Sequence, residues 1–215
     1  MKKNAKVTTI LVASTMLFCS FTPFVAEVSA NSTSVQNVST EQDIKQVTPA
    51  QLQKYDQYIK VSGNQYVLDE GIYDVADKTT ISAIREQIKF SNEQVSIHSE
   101  NINSATKERV EKQKSVVTYS AARPAHEVRK YWWGVKHIFR TATAAKYQAS
   151  QWQSAALKTA LASIVPGVAV VGIPAAGYAE LLSHDLSSYS DAHPKSKIYM
   201  DVNKWFTYSF GIWKD

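Results

Sequence analysis

Residues 127–140 read EVRKYWWGVKHIFR, and whether this stretch is extended or helical decides the fold. Its aromatic and β-branched side chains favour a strand. Extended, it places Trp133, Val135, His137 and Phe139 on one face and sends Trp132 and Trp133 to opposite sides. Such a strand finds partners at the C-terminus, where Lys197 to Val202 alternates and Trp205 to Trp213 is strongly β-prone, with Asn203 and Lys204 between them. Two apolar helices lie between these elements. Thr141 to Ile164 is Ala-rich, with Tyr147, Trp152, Leu157 and Leu161 as anchors, and ends at Pro166-Gly167; Pro174 to Leu186 carries Tyr178, Leu181 and Leu182. The second half therefore predicts a small antiparallel sheet of three strands packed with an apolar helical hairpin, an α+β class.

Upstream, Thr48-Pro49 predicts a helix start, with Leu52, Tyr55 and Ile59 on one face. Tyr58 to Val61 and Gln65 to Leu68 flank Ser62-Gly63-Asn64 and predict a hairpin, because Gly and Asn tolerate the positive φ of a tight turn. Ile81, Ile84, Ile88, Ser91, Val95, His98 and Ile102 recur at spacings of three and four and predict one long amphipathic helix. The charged run Thr106 to Lys114 is expected to be an exposed helical continuation or a linker, and Arg123-Pro124 marks a break.

At the N-terminus Lys2, Lys3 and Lys6 precede an uncharged stretch from Val7 to Ala26, followed by Val28-Ser29-Ala30. This is the pattern of a secretory signal peptide cleaved after Ala30. The expected organisation is a leader over 1–30, a polar flexible extension over 31–47, a helix, hairpin and long-helix lobe over 48–120, and an α+β domain over 121–215. Of 215 residues 44% are hydrophobic and 20% charged, which fits a chain with a buried core. The single cysteine, Cys19, lies in the leader. A disulfide, a thiolate metal site and cysteine catalysis are thereby excluded from the expected mature chain.

Charge is uneven. Val128 to Ala179 holds six cations and no carboxylate, whereas the segments on either side are nearly balanced. A field follows local charge, so this block is where an anionic partner is attracted. Arg129, Lys130, Lys136 and Arg140 are the candidate binders of an anionic surface, and Tyr131, Trp132 and Trp133 the candidate aromatic anchors. Directly behind them, Thr159 to Ala179 is uncharged and interrupted by two prolines and three glycines. The order of cationic aromatic segment and apolar hairpin is what a conditional membrane inserter needs; the same run also serves as ordinary core. The rings, with Trp152, Trp205 and Trp213, equally suit a glycan-stacking surface.

Other chemistries find less support. No nucleic-acid motif is present and nucleic acid is not an expected partner. His184, Asp185, Asp191 and His193 match no strong metal spacing, and no metal or other cofactor is expected. There is no G-x-S-x-G elbow, HExxH or Walker-type loop.

The leader, the Lys60-Val61-Ser62-Gly63-Asn64-Gln65-Tyr66-Val67-Leu68 hairpin before a long helix, Tyr131-Trp132-Trp133-Gly134-Val135-Lys136, the Ala/Gly/Pro-rich helical pair and the aromatic C-terminal strands together resemble uncharacterised small exported proteins of Gram-positive bacteria. The resemblance implies export and a shared architecture and carries over no catalytic residue. Val128 to Ala179 is also similar in composition to bacteriocin-like peptides. The expected function is that of an exported, non-enzymatic protein acting at a cell surface, its partner an anionic lipid or cell-wall polymer. A soluble extracellular module binding a protein or glycan is the alternative, and a secreted hydrolase using His137 or His184 with a serine and a carboxylate is the second. The oligomeric state stays open.

Overall fold

A computed structural model describes residues 47–112, 123–154, 157–167 and 175–215. The expected leader, nearly all of the extension, residues 113–122 and residues 168–174 of the apolar run lie outside the described residues. The described chain is α+β, as expected. Helix α1 (Pro49–Gln53) opens at a capping box: Thr48 accepts the Gln51 backbone N–H, while the Gln51 side chain accepts the Thr48 N–H at 2.7 Å. It is shorter than expected, because a 3-10 turn follows at Asp56–Tyr58 and Ile59 already belongs to a strand.

Strands β1 (Ile59–Ser62) and β2 (Gln65–Leu68) form the expected hairpin. Gly63 at φ 56° and Asn64 at φ 61° make its two-residue turn, the left-handed pair that matches strand twist. Two strands alone are marginal, and two asparagine amides attach these to their neighbours. Asn92 accepts the Tyr66 N–H at 2.8 Å and donates to the Tyr66 carbonyl at 3.0 Å. Asn64 donates to the Glu100 carbonyl at 3.0 Å and accepts the Ile102 N–H at 2.7 Å. Each amide thus stands in for an absent neighbouring strand.

Helix α2 (Lys78–Ile97) is capped by Asp77, which accepts the Thr80 N–H at 2.8 Å. Ile81, Ile84, Ile88, Ser91 and Val95 are buried along it, as the periodicity predicts. The polar member of that stripe has a partner: Ser91 Oγ donates to the Trp132 carbonyl at 2.7 Å. The helix stops at Ile97, with His98 exposed at its C-cap and Ser99 turning at φ 51°. Ile102 therefore lies on a strand instead of on the helix.

The sheet has six strands where three were expected. β3 (Glu100–Ile102), β4 (Arg109–Glu111), β5 (His126–Tyr131), β6 (Gly134–Phe139), β7 (Ile198–Val202) and β8 (Tyr208–Ile212) run in that order, every neighbour antiparallel. Part of the charged run is thus strand β4. Residues 127–140 are two strands instead of one, turning at Trp132-Trp133. The sheet also crosses the expected boundary near residue 121, and the described residues all fall within one unit, Val38–Asp215.

Helices α3 (Ala142–Ser154), α4 (Leu157–Ile164) and α5 (Ala175–Ala192) occupy the span expected for two. One core joins Val135, Phe139, Ile198, Met200 and Val202 of the sheet to Ala145, Trp152, Leu161, Ile164, Leu182 and Leu186 of these helices. The other gathers Leu52, Ile59, Tyr66, Ile72, Ile84 and Ile88 around Trp132 and Trp133. The anchors Tyr147 and Leu181 face solvent, at 64% and 53% exposure.

Candidate functional site

The β5–β6 turn decides what the candidate anchors can do. Trp132 is 0% and Trp133 5% exposed. The Trp132 indole fills the N-terminal core, its Nε1–H donating to Asp56 Oδ1 at 2.6 Å. Trp133 stacks on Tyr131 at 5.1 Å between ring centres. The expectation of Trp132 and Trp133 as outward anchors is therefore corrected. A small core gains about 3 kcal/mol or more from a buried indole, which outweighs any preference of the turn for polar residues. Tyr131 remains half-buried.

The four candidate cations each contact a carboxylate within the chain, though Glu127, Glu100 and Asp215 are each shared by more than one cation. Arg129 Nε meets Glu127 at 2.6 Å, and Arg140 bridges Glu127 and Asp215, the latter at 2.7 Å. Lys130 meets Glu100 at 2.6 Å, and the same carboxylate faces Arg109 at 3.5 Å. Lys136 meets Asp201 at 2.9 Å, with Gln53 donating to Asp201 at 2.8 Å. Arg129, Lys130, Lys136 and Arg140 thus do not form a free cationic patch. The acid-free block gains its counterions from across the sheet: strand register sets Lys136 opposite Asp201, and the fold brings Glu100 to Lys130. Burial works against ionisation of Glu127, but Arg129 and Arg140 hold its carboxyl below the usual range. Burial raises the Asp201 carboxyl, against the pull of Lys136 and Gln53.

What the sheet presents on the face opposite α3, α4 and α5 is a row of rings interleaved with these paired cations. The Lys136 ammonium lies 3.6 Å from the Tyr199 ring centre, 5.5 Å from that of Trp133 and 5.9 Å from that of Trp213. Arg129 lies 5.2 Å from the Trp213 ring. Tyr199 covers Gly211, whose missing Cβ would sit 2.4 Å from the ring. Tyr131, Tyr199 and Trp213 are half-buried, so part of each ring reaches solvent. Cation–π contacts and cross-strand covering hold the rings in fixed orientations. Tyr199 and Gln53 were not anticipated from the sequence. The alternation of Ile198, Met200 and Val202 into the core carries the signal for Tyr199, since it sends Tyr199 and Asp201 to the opposite face.

His137 and His184 differ in setting: the first is sealed in the core, while the second lines an open groove of about 310 Å³ with Ser150, Ser183, Ser187 and Glu180. His137 is fully buried, its Nε2 2.9 Å from the Ile164 carbonyl and its Nδ1 3.1 Å from His126 Nε2. His184 is exposed beside Asp185 at 3.3 Å. Ser183 donates to the Ala179 carbonyl and Ser150 to the Tyr147 carbonyl, so the nearby hydroxyls are turned to backbone. Asp185 accepts from Tyr208, Asp191 pairs with Lys146 and His193 bonds the Tyr189 carbonyl, which leaves these side chains apart. Among the described residues no group of three ligand-type side chains is arranged to hold a metal, and no helix is long and apolar enough to cross a membrane. An open groove of about 520 Å³ lies between β2 and α2, lined by Gln65, Leu68, Arg85, Ile88, Lys89 and Asn92 among others. Comparison of the chain with protein-family models, with curated proteins and with solved structures returns no match.

Proposed function

We propose that this is an exported, non-enzymatic module that binds an uncharged stretch of cell-envelope glycan on the face of its sheet opposite α3, α4 and α5. The observation that carries this is the set of half-exposed, oriented rings of Tyr131, Tyr199 and Trp213 beside polar groups. Sugar rings present flat C–H faces to aromatics and hydroxyls to neighbouring donors and acceptors, and Tyr and Trp supply rigid contact area at low entropic cost. Arg129, Lys136 and Arg140 each already contact a carboxylate, which lowers what a ligand gains from carrying negative charge, although Glu127 and Asp215 are shared among Arg129, Arg140, Arg123 and Lys197. This favours a neutral glycan over an anionic lipid or polymer. Burial of Leu161, Ile164 and Val165 supports the module over insertion as the resting role of the apolar run.

The test is titration of the protein with soluble neutral cell-wall oligosaccharides, following tryptophan fluorescence at low and high salt. Saturable binding that salt leaves unchanged and that Trp213→Ala weakens at least about tenfold supports the proposal. Binding only to anionic vesicles, weakened by salt, or no binding to any glycan, overturns it.

A further inference from the structure

Each ring nitrogen of His137 has a defined role. A carbonyl oxygen only accepts, so the nitrogen 2.9 Å from the Ile164 carbonyl, Nε2, carries the proton. Nδ1 is then a lone pair, and His126 Nε2, 3.1 Å away, must donate to it. The chain of bonds continues outward to Gln148, which bonds His126. The two rings stack at 5.4 Å, with Phe139 against His126 at 4.7 Å and Trp152 edge-on to His137 at 5.4 Å. A second proton on His137 leaves the Nε2–H bond to Ile164 in place but adds a charge in a fully buried site, and two N–H groups oppose each other unless His126 moves its own proton to Nδ1.

Ile164 ends α4, and its carbonyl is one of the last four that a helix leaves without an internal partner. His137 supplies that partner. Leu161, Ile164 and Val165 are each 0% exposed. The adjoining Gly167, at φ 85°, leaves a gap that the Gln94 side chain fills. α4 is also tied to α3 by Trp152 Nε1, which donates to Ser163 Oγ at 3.0 Å.

We propose that the neutral His126–His137 pair latches the C-terminal end of α4 onto the sheet, and that protonation of the pair releases it. Among the described residues the groups that face the pair offer no counterion. β7 sets Met200 opposite His137. α3 presents Gln148 and Trp152, its Lys146 being paired with Asp191 on α5, while Asp185 of α5 accepts from Tyr208. Glu127 and Arg140, next to the pair in sequence, are bonded to each other.

Burial pushes His137 down to about 4, with His126 adding to the shift and the Ile164 carbonyl opposing it; burial also lowers His126, against Gln148. On release His137 returns towards the ordinary value of 6.5. The part of the closed state's stability that comes from His137 is complete above about pH 6.5, is lost as pH falls, and levels off below about pH 4. Release exposes Leu161, Ile164 and Val165 as one apolar surface.

The experiment is hydrogen exchange of the segment 157–167 at a series of pH values, corrected for intrinsic rates, with a dye for exposed apolar surface. The opening constant should rise roughly 30-fold between about pH 6 and about pH 4 while β6 and β7 stay protected. Constant protection, or loss only together with the sheet, overturns the latch. His137→Gln keeps a donor for Ile164 and an acceptor for His126 and should remove the His137 part of the pH dependence, leaving only what His126 contributes; full retention of the dependence overturns the latch as well. Should His137→Gln fail to fold, ring-nitrogen NMR of the unmodified protein decides. The latch requires the Nε2–H form and a His137 titration coincident with loss of protection, and a ring that titrates without that loss overturns it.

Discussion

The Trp132 indole donates a 2.6 Å hydrogen bond to Asp56, a residue 76 positions earlier in the chain, while its own backbone carbonyl receives the Ser91 hydroxyl. One residue at a sheet turn is therefore tied to the 3-10 turn and to α2. Trp132→Ala removes the ring from a site that is 0% exposed and should cost about 4 kcal/mol. Trp132→Phe keeps most of the packing and loses the bond, for about 1 to 2 kcal/mol. Urea unfolding measures both; a Trp132→Phe variant as stable as the unmodified protein would show that the hydrogen bond contributes nothing, and equal losses in the two would show that the ring's packing does not.

Glu100 has a side chain with 0% exposure and serves both Lys130 and Arg109, the latter 3% exposed. Glu100→Gln leaves two cations facing a neutral amide, and the Arg109 guanidinium cannot reach water. The expected loss is about 3 to 5 kcal/mol, read from the denaturant midpoint. A change below about 1 kcal/mol would show that water reaches this cluster.

Gly134 and Gly63 both lie at positive φ, yet their surroundings differ. A Cβ on Gly134, at φ 147°, would fall 2.2 Å from the Val202 carbonyl oxygen, whereas one on Gly63 meets nothing within 4 Å. Gly63→Ala should cost only the left-handed backbone term, about 1 kcal/mol. Gly134→Ala adds a collision with backbone on β7 and should cost at least about 3 kcal/mol. Thermal unfolding of the two variants checks the ordering.

Burial raises the phenols of Tyr66, Tyr178 and Tyr208 well above the usual 10.0. Tyr66 donates to the Lys107 carbonyl at 2.7 Å, Tyr178 to the Phe206 carbonyl and Tyr208 to Asp185 at 2.6 Å. The folded chain therefore keeps protons that the unfolded chain releases. Stability from these groups is complete below about pH 10 and falls as pH rises beyond it. Absorbance of tyrosinate should show a late group of phenols ionising only as the circular dichroism is lost.

Trp213 carries cation–π contacts from Arg129 and Lys136 and donates to Asp215 at 3.1 Å. Trp213→Ala should lower stability by about 1 kcal/mol and weaken glycan binding at least about tenfold. Gly211→Ala leaves Trp213 in place but pushes the Tyr199 ring aside, since the new Cβ falls 2.4 Å from it. A partial loss of affinity is expected from that variant, by the same titration. Wild-type affinity in both would remove the rings from the site.

The 59–68 hairpin was legible because Gly63-Asn64 tolerates the backbone its turn adopts, and α2 because its apolar spacing survives any partner. The turn at Trp132-Trp133 was not legible. Neither loop residue bears a turn signature, and both are there because a core 76 residues away in sequence accepts an indole. Strand β4 was hidden for a related reason: Arg109 within a charged run reads as exposed until Glu100 is placed beside it. The candidate site was half legible, in that Trp213 was among the rings noted, while Tyr199 and Gln53 needed the register and the docking of α1.

The sequence alone determined the α+β class, the hairpin, the long helix and the lack of thiol chemistry beyond Cys19, since steric preference and hydrophobic period act over a few residues. Tertiary structure decided which rings face outward and whether the cations are free. Those properties depend on partners distant along the chain, Glu100 for Lys130 at 30 positions and Asp201 for Lys136 at 65. Charge and exposure belong to neighbours in space, and only the folded chain supplies them.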